Sequence, residues 1–365
     1  MNNIHTRPER DSAFELLRII SMFLIVASHY SVHGILSHSL GIVNPVYSSL
    51  PMGGTLGVNC FVLITGYFTI NSSLTFGKIA RLLYQVLCMT ALISFAAYCV
   101  GAPYFELSTK HLIKSSIGIL GNYWFINTYL VLILLSPFIN KMLKNINQQE
   151  HCLCILTLVG LNYLAPFFRI PTYFHSVGQF ITLYSIAAFI RMYGSSWRLS
   201  LSKFSLLTIL LLVVGFLMIW LALQHRILGS IFFPFVVAHS SLYLLLISSL
   251  IFVIFTRIHI RHSRIINFLA ACTLGIYIFH EHALMRTFLW NTMLHCERAP
   301  FSAYPYFHCI ASILLVFFLS IVADVIFRYT IGYLYSPLNR YILNPVYSTI
   351  KSKILNFYHK IQSAD

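Results

Sequence analysis

The sequence predicts an all-α, polytopic membrane protein with about ten transmembrane helices and both termini in the cytoplasm. Of its 365 residues, 58% are hydrophobic and only 9% are charged, whereas soluble domains average about 45–50% and about 25%. Apolar runs of about 20 residues, the length that crosses a bilayer as a helix, recur along the chain. Lys and Arg concentrate in alternate connecting segments, as they do on cytoplasmic loops. Together these observations exclude a soluble enzyme, a disordered chain and a fibrous protein.

The apolar runs follow one another with short polar connections. The transmembrane domain covers residues 1–334, and a basic, aromatic tail at 335–365 is expected to lie along the inner membrane surface. Gly54, Gly57 and Gly66 predict that the second span is either irregular or deeply buried in the bundle. The ten spans are predicted at 14–33, 54–70, 82–101, 122–139, 151–168, 178–193, 203–223, 235–256, 267–289 and 307–331.

The charges assign the two sides of the membrane. The chain carries 24 Lys and Arg against 9 Asp and Glu, a net charge of +15. With the amino terminus inside, 18 of the 24 basic residues fall on inner segments and 6 on outer segments. This asymmetry predicts that both ends face the cytoplasm and its anionic lipid headgroups. No segment resembles a nucleic-acid-binding module, so nucleic acid is not a predicted partner.

The first span carries a guanidinium and an imidazole on one helix face. Arg18 and His29 are eleven residues apart, which places them within about 20° of each other around the axis and about 16 Å apart along it. A cation near the cytosol and a titratable group in the outer half favour a channel for a long anionic ligand, and acetyl-CoA has that shape. Arg18 equally fits a pair with Glu15 or a side chain that reaches the interface. His29 equally fits a hydrogen bond between helices.

Five segments, taken in order, resemble one family of membrane proteins. The first is the Arg-to-His spacing within ELLRIISMFLIVASHY. The others are GTLGVNCFVLITGYF (54–68), the pair Lys78 and Arg81, YWFINTYLVLILLSPFIN (123–140) and TLGIYIFHEHALMR (273–286). On these segments the chain resembles the integral-membrane acyltransferase family 3, which includes the O-acetyltransferases of bacterial surface polysaccharides. The resemblance covers nearly the whole order of spans.

The resemblance implies an enzyme of a bacterial inner membrane. It would move an acyl group, with acetyl expected, from acyl-CoA to a hydroxyl of a surface glycan or a lipid-linked saccharide. It gives His29 the role of general base, for which an imidazole is suited because it exchanges protons near neutral pH. Arg18, Lys78 and Arg81 are expected to bind the phosphates of CoA. Lys78 stands where the family has Arg, and two cations there are also typical of any cytoplasmic loop.

Two acidic residues lie deep inside predicted spans, where a charge needs a partner. Glu281 and His29 each lie about fifteen residues from the inner end of their span, at a depth of roughly 22 Å. Glu281 is predicted either to orient His29 or bind the acceptor hydroxyl, or to pair with a neighbouring histidine or Arg286. Asp324 and Arg328, four residues apart, are predicted to form an ion pair within one helix.

The His and Cys spacings contain no convincing set of metal ligands, so no metal is predicted. Two other functions fit a polytopic protein with buried charge. One is a transporter or flippase for the same glycans, and the other is a non-catalytic membrane component of glycan assembly. The spacing of Arg18 and His29 favours the enzyme. The acceptor sugar and the oligomeric state are not predicted.

Overall fold

The computed structural model describes residues 11–36, 44–72, 74–101, 123–165, 168, 170, 175–197, 200–349, 352, 353 and 356. No β-strand occurs among them, which confirms the predicted all-α class. The helices are α1 (Ser12–His29), α2 (Pro45–Thr69), α3 (Phe76–Val100), α4 (Trp124–Lys144), α5 (Gln148–Val159), α6 (His175–Tyr193), α7 (Leu201–Gln224), α8 (Arg226–Val237), α9 (Leu242–Phe255), α10 (Arg264–Ala271), α11 (Thr273–Glu281), α12 (Ala283–Thr287), α13 (Pro305–Thr330) and α14 (Tyr335–Leu338).

The helix surfaces are those of a protein in lipid. Large apolar side chains face outward from the long helices, among them Phe95, Phe138, Leu206 and Phe318. Such a surface is costly in water and suits a hydrocarbon environment, in which helices also satisfy their own backbone hydrogen bonds. The chain is therefore a multi-pass membrane protein.

Seven helical segments in the described ranges are long and apolar enough to cross a membrane. An eighth crossing results if the bent pair Arg264–Glu281 and Ala283–Phe301 is one span. The predicted spans 151–168 and 178–193 overlap α5 and α6, which have 12 and 19 residues and do not pass the same test of length and apolarity. The number of ten crossings, and the cytoplasmic position of both ends, stay predictions.

Helix α1 lies at the centre of the bundle. Its first turn is capped by Asp11, whose side chain accepts a hydrogen bond from the Ala13 amide at 3.0 Å. The helix continues as a wider π-helical turn over Tyr30–Ile35. His29 is the last residue before this turn, a type of irregularity that is common at functional sites.

Helix α2 lies deep in the bundle, as one of the two alternatives predicted. It starts nine residues earlier than the predicted span 54–70, because Asn44 caps its amino terminus and Pro45 occupies its first position. Gly54 and Gly57 face α1, where a Cβ at Gly54 would lie 2.5 Å from Ser28 Oγ. The missing side chains let the two helices approach closely, in the way that small residues do at helix interfaces in membranes.

We expect the substitution Gly57→Ala to lower the thermal stability of the purified protein, because its Cβ would lie 2.9 Å from Ile25 Cγ1 and closer still to the Ser21 carbonyl oxygen. Overpacking of this kind costs about 1–3 kcal/mol. The matched control is Gly77→Ala, since the space around Gly77 is open. Unfolding followed by circular dichroism in detergent compares the two. Equal melting temperatures would show that the close approach is not required.

The predicted span 267–289 is wrong as a continuous helix. It consists of α10, α11 and α12, with a bend of 72° between α11 and α12. The break lies at His282, whose backbone is extended (φ −56°, ψ 132°) and whose Nδ1 accepts from the Leu284 amide at 3.3 Å. No Pro or Gly marks this position, so the apolar periodicity runs through it. The consequence is that Glu281 is the last residue of α11 and lies buried inside the bundle.

The tail packs against the start of α3. Tyr335 donates a hydrogen bond to the Gly77 carbonyl at 2.8 Å, and the rings of Phe76 and Tyr347 stack with centroids 4.4 Å apart. These contacts place the described part of the predicted tail 335–365 at the same end of the bundle as Arg81. Its contact with the membrane surface stays a prediction.

Candidate functional site

One cavity of about 1020 Å³ runs through the bundle between α1, α2, α3, α4, α11 and α13. At one end its wall contains Arg18, Arg81, Arg328 and Tyr335. Further along α1 its wall contains His29, His33, Glu281 and Arg286. The cavity therefore joins a cationic end to a His–Glu cluster about 16 Å away along the helix axis.

Two of the three predicted phosphate-binding residues line the cavity, and the third does not. Arg18 lines the cavity and forms an ion pair of 2.7 Å with Glu15, which is one of the alternatives considered for it, while its binding of phosphate stays a prediction. Arg81 lines the cavity as well. Lys78 lies three residues earlier in the first turn of α3, is exposed, and does not belong to the cavity wall.

His29 lies between two groups contributed by α11. Its Nδ1 is 2.9 Å from His280 Nε2 and 3.1 Å from Glu281 Oε2. His280 is fully buried, and its Nδ1 lies 2.6 Å from the Ile276 carbonyl oxygen one turn earlier in its own helix. The packing of α11 against α1 thus brings together residues that are about 250 positions apart in the chain.

The hydrogen bonds determine which nitrogen of His29 carries the proton. A carbonyl oxygen can only accept, so His280 Nδ1 donates to Ile276 and the neutral ring presents Nε2 as an acceptor. His29 Nδ1 then faces two acceptors, His280 Nε2 and a carboxylate oxygen, and must be the donor. In neutral His29 the free lone pair is consequently on Nε2, which makes no hydrogen bond within the described residues.

The Glu281 carboxylate also contacts His33 and Arg286. Its Oε2 lies 3.2 Å from His33 Nε2, and its Oε1 lies 3.1 Å from a terminal nitrogen of Arg286. The residue is only 6% exposed, and a carboxylate buried to that degree is tolerated when it is paired. Arg286 therefore balances the charge on one oxygen and leaves the other to the two histidines of α1 and its π-helical turn.

Aromatic rings line part of the cavity wall. Trp124 and Phe125 at the start of α4 belong to its wall, and the Trp124 ring lies 5.2 Å from the ring of His239. His239 occupies the break between α8 and α9 and lies 3.4 Å from Thr55 Oγ1. Rings and hydroxyls together form a surface suited to a saccharide or to the arm of a thioester.

The same cluster contains the potential metal ligands of the described residues. One ligand atom each of His29, His280 and Glu281 lie within 4.8 Å of one another. Arg286 already contacts the same carboxylate, and its positive charge opposes a metal cation there. The prediction that no metal is needed stays a prediction.

Several residues of the site were not predicted in these roles. His280 was considered as a partner of Glu281, but its ring contacts His29 instead. His282 contacts Ser94 and caps α12. Arg286, five positions after Glu281, is the alternative partner that the structure bears out. The close spacing of charged residues after Tyr277 was the available signal, but the bend at His282 decides which of them meet.

The fold and the site together define a multi-pass, all-helical membrane protein with a buried His–Glu cluster reached by a long cavity. The family model of acyltransferase family 3, described as an acyltransferase domain, matches residues 11–329. The match covers most of the chain, so the chain belongs to acyltransferase family 3, as its motifs indicated. No curated protein and no solved structure gives a match.

Proposed function

We propose that this protein is an O-acyltransferase of a bacterial inner membrane. It takes an acyl group, acetyl in the first instance, from cytosolic acyl-CoA and transfers it to a hydroxyl of a surface glycan or a lipid-linked saccharide. The observation that carries the proposal is the single cavity that joins Arg18 and Arg81 to the cluster of His29 and Glu281.

The donor fits this cavity by its shape and charge. The phosphates of CoA bind near Arg18 and Arg81, because guanidinium groups form paired hydrogen bonds with phosphate oxygens. Lys78 is exposed one turn before Arg81 and attracts the same anion from the cytosol. The pantetheine arm then extends along α1 and brings the thioester towards His29.

His29 acts as the general base in the transfer. Its Nε2 lone pair accepts the proton of the sugar hydroxyl while the hydroxyl oxygen attacks the thioester carbonyl carbon. The new C–O bond forms, the C–S bond breaks, and the proton on Nε2 passes to the departing sulfur of CoA. No further oxidant or reductant is needed. General-base catalysis of this kind contributes about 10²–10⁴-fold to a rate.

Glu281 supports His29 through Nδ1. His280 Nε2 accepts a hydrogen bond from His29 Nδ1 and so holds the tautomer that presents Nε2 of His29, while the negative charge of the carboxylate oxygen 3.1 Å away stabilises the imidazolium formed during attack. Arg286 holds the other carboxylate oxygen. In this arrangement the lone pair of His29 Nε2 can accept a proton as soon as the substrate binds.

The experiment that tests the proposal is NMR of the surface glycans from a strain that lacks this protein. We expect the O-acyl signals to disappear on deletion and to return with the wild-type protein, and the position of the lost signal identifies the sugar hydroxyl. Acylation that persists on deletion, together with reduced polymer export, would instead support a transporter for the same glycans.

A further inference from the structure

An ion pair with a buried carboxylate lies at the cationic end of the cavity. Asp324 of α13 is fully buried, and its Oδ2 lies 2.6 Å from a terminal nitrogen of Arg328 one turn later. Its Oδ1 accepts a hydrogen bond of 3.2 Å from the Gln85 side chain of α3. The ion pair that the sequence predicted is therefore part of a contact between two helices.

The Asp324 carboxylate also packs against the backbone of α11. A Cβ at Gly275 would collide with it, so only glycine leaves the space that the carboxylate occupies. The same helix carries Glu281 at its other end. Asp324 is therefore fixed by contacts with α3 and α11, and it holds the Arg328 guanidinium of its own helix in one position.

Only one of the three guanidinium nitrogens of Arg328 contacts other described residues. The nitrogen that contacts Asp324, Nη2, also donates to the Ala271 carbonyl oxygen. The other two guanidinium nitrogens make no hydrogen bond within the described part of the chain. The side chain is 31% exposed and lines the cavity, so its free edge is accessible from the cavity.

Three guanidinium groups thus share one end of the cavity. Arg18 is paired with Glu15, and Arg328 is paired with Asp324. Arg81 forms no ion pair with a described residue. An anion with several phosphate groups needs several such donors at different positions, and Arg18 and Arg81 together supply only two.

We infer that Arg328 binds a phosphate of the acyl donor, with Asp324 and Gln85 as positioning residues that aim its guanidinium into the cavity. This inference rests on the proposed function and adds to it a binding residue from the last long helix. The ligand class is a nucleotide thioester that carries phosphate esters, and acetyl-CoA is the probe.

The test measures binding of acetyl-CoA by isothermal titration to the full-length protein in phosphatidylcholine nanodiscs, where no anionic headgroup competes. We expect Arg328→Gln to weaken binding about tenfold or more, as for loss of a charge-assisted contact. The control Arg264→Gln removes an exposed arginine of α10 outside the cavity wall, and we expect it to bind acetyl-CoA like the wild type.

A double variant separates phosphate binding from a purely structural role. Asp324→Asn with Arg328→Gln removes both charges, so no unpaired buried carboxylate remains. We expect the double variant to fold and still to bind acetyl-CoA weakly. Recovery of wild-type affinity in the double variant, or unchanged affinity in Arg328→Gln, would overturn the inference and leave the proposed function standing. Absence of binding to the wild type would overturn both.

Discussion

Replacing His29 with Asn is expected to lower the rate of acyl transfer by about 10²–10⁴-fold, because the general base is lost. The Asn amide nitrogen occupies the position of His29 Nδ1 and keeps a donor for His280 Nε2, so the cluster retains that hydrogen bond. Affinity for acetyl-CoA is expected to stay at the wild-type value, since the cationic end of the cavity lies about 16 Å away along α1. The measurement is steady-state release of CoA in the presence of acceptor glycan, together with titration of acetyl-CoA.

The control for this variant is His151→Ala. His151 is fully buried and its Nε2 donates to the Ser185 carbonyl at 3.1 Å, but it does not belong to the cavity wall. This substitution costs stability in a similar way and is expected to leave the rate per folded molecule unchanged. If His29→Asn keeps a rate close to that of the wild type, His29 is not the base and the mechanism is wrong.

Replacing Glu281 with Gln is expected to lower the transfer rate by about 10²-fold, because loss of the charge leaves His29 without its stabilising partner and misplaces the imidazole. The loss falls on kcat, since Glu281 lies at the opposite end of the cavity from the expected phosphate site. Glu281→Asp keeps the charge on a shorter side chain and is expected to recover part of the rate. Kinetics of all three proteins with acetyl-CoA as the varied substrate test this.

Glu297→Gln is the matched control. Glu297 also contacts a histidine and an arginine, at 3.8 Å from His295 and 3.6 Å from Arg298, but it lies outside the cavity wall. We expect its removal to leave kcat unchanged. A Glu281→Gln variant with full activity would show that the carboxylate serves only to pair with Arg286.

Spacing along single helices was predictable from the sequence. Arg18 and His29 line one cavity because an eleven-residue separation returns to the same face of a helix. Asp324 and Arg328 form the expected ion pair because they are one turn apart. The glycines of α2 indicated burial because they leave room for a neighbouring helix. In each case the geometry follows from a few consecutive turns of regular backbone.

Contacts between different helices could not be predicted from residue spacing along a single helix. The depth estimate placed Glu281 near the level of His29, but it could not predict that His280 approaches the same nitrogen. The bend at His282 carries no Pro or Gly, and it is held by the cap on Leu284 and a contact with Ser94. Such breaks depend on side chains of neighbouring helices that satisfy the freed backbone groups.

The sequence by itself thus determined the class of protein, the family and the two residues of α1 that line the cavity, since composition and local helical spacing are properties of the chain alone. Only the tertiary structure decided that α11 ends beside His29, that Arg286 balances Glu281, and that Arg328 joins Arg18 and Arg81. The physical reason is that these groups meet through packing between distant helices. That packing is the sum of many small contacts, and no local pattern in the sequence encodes it.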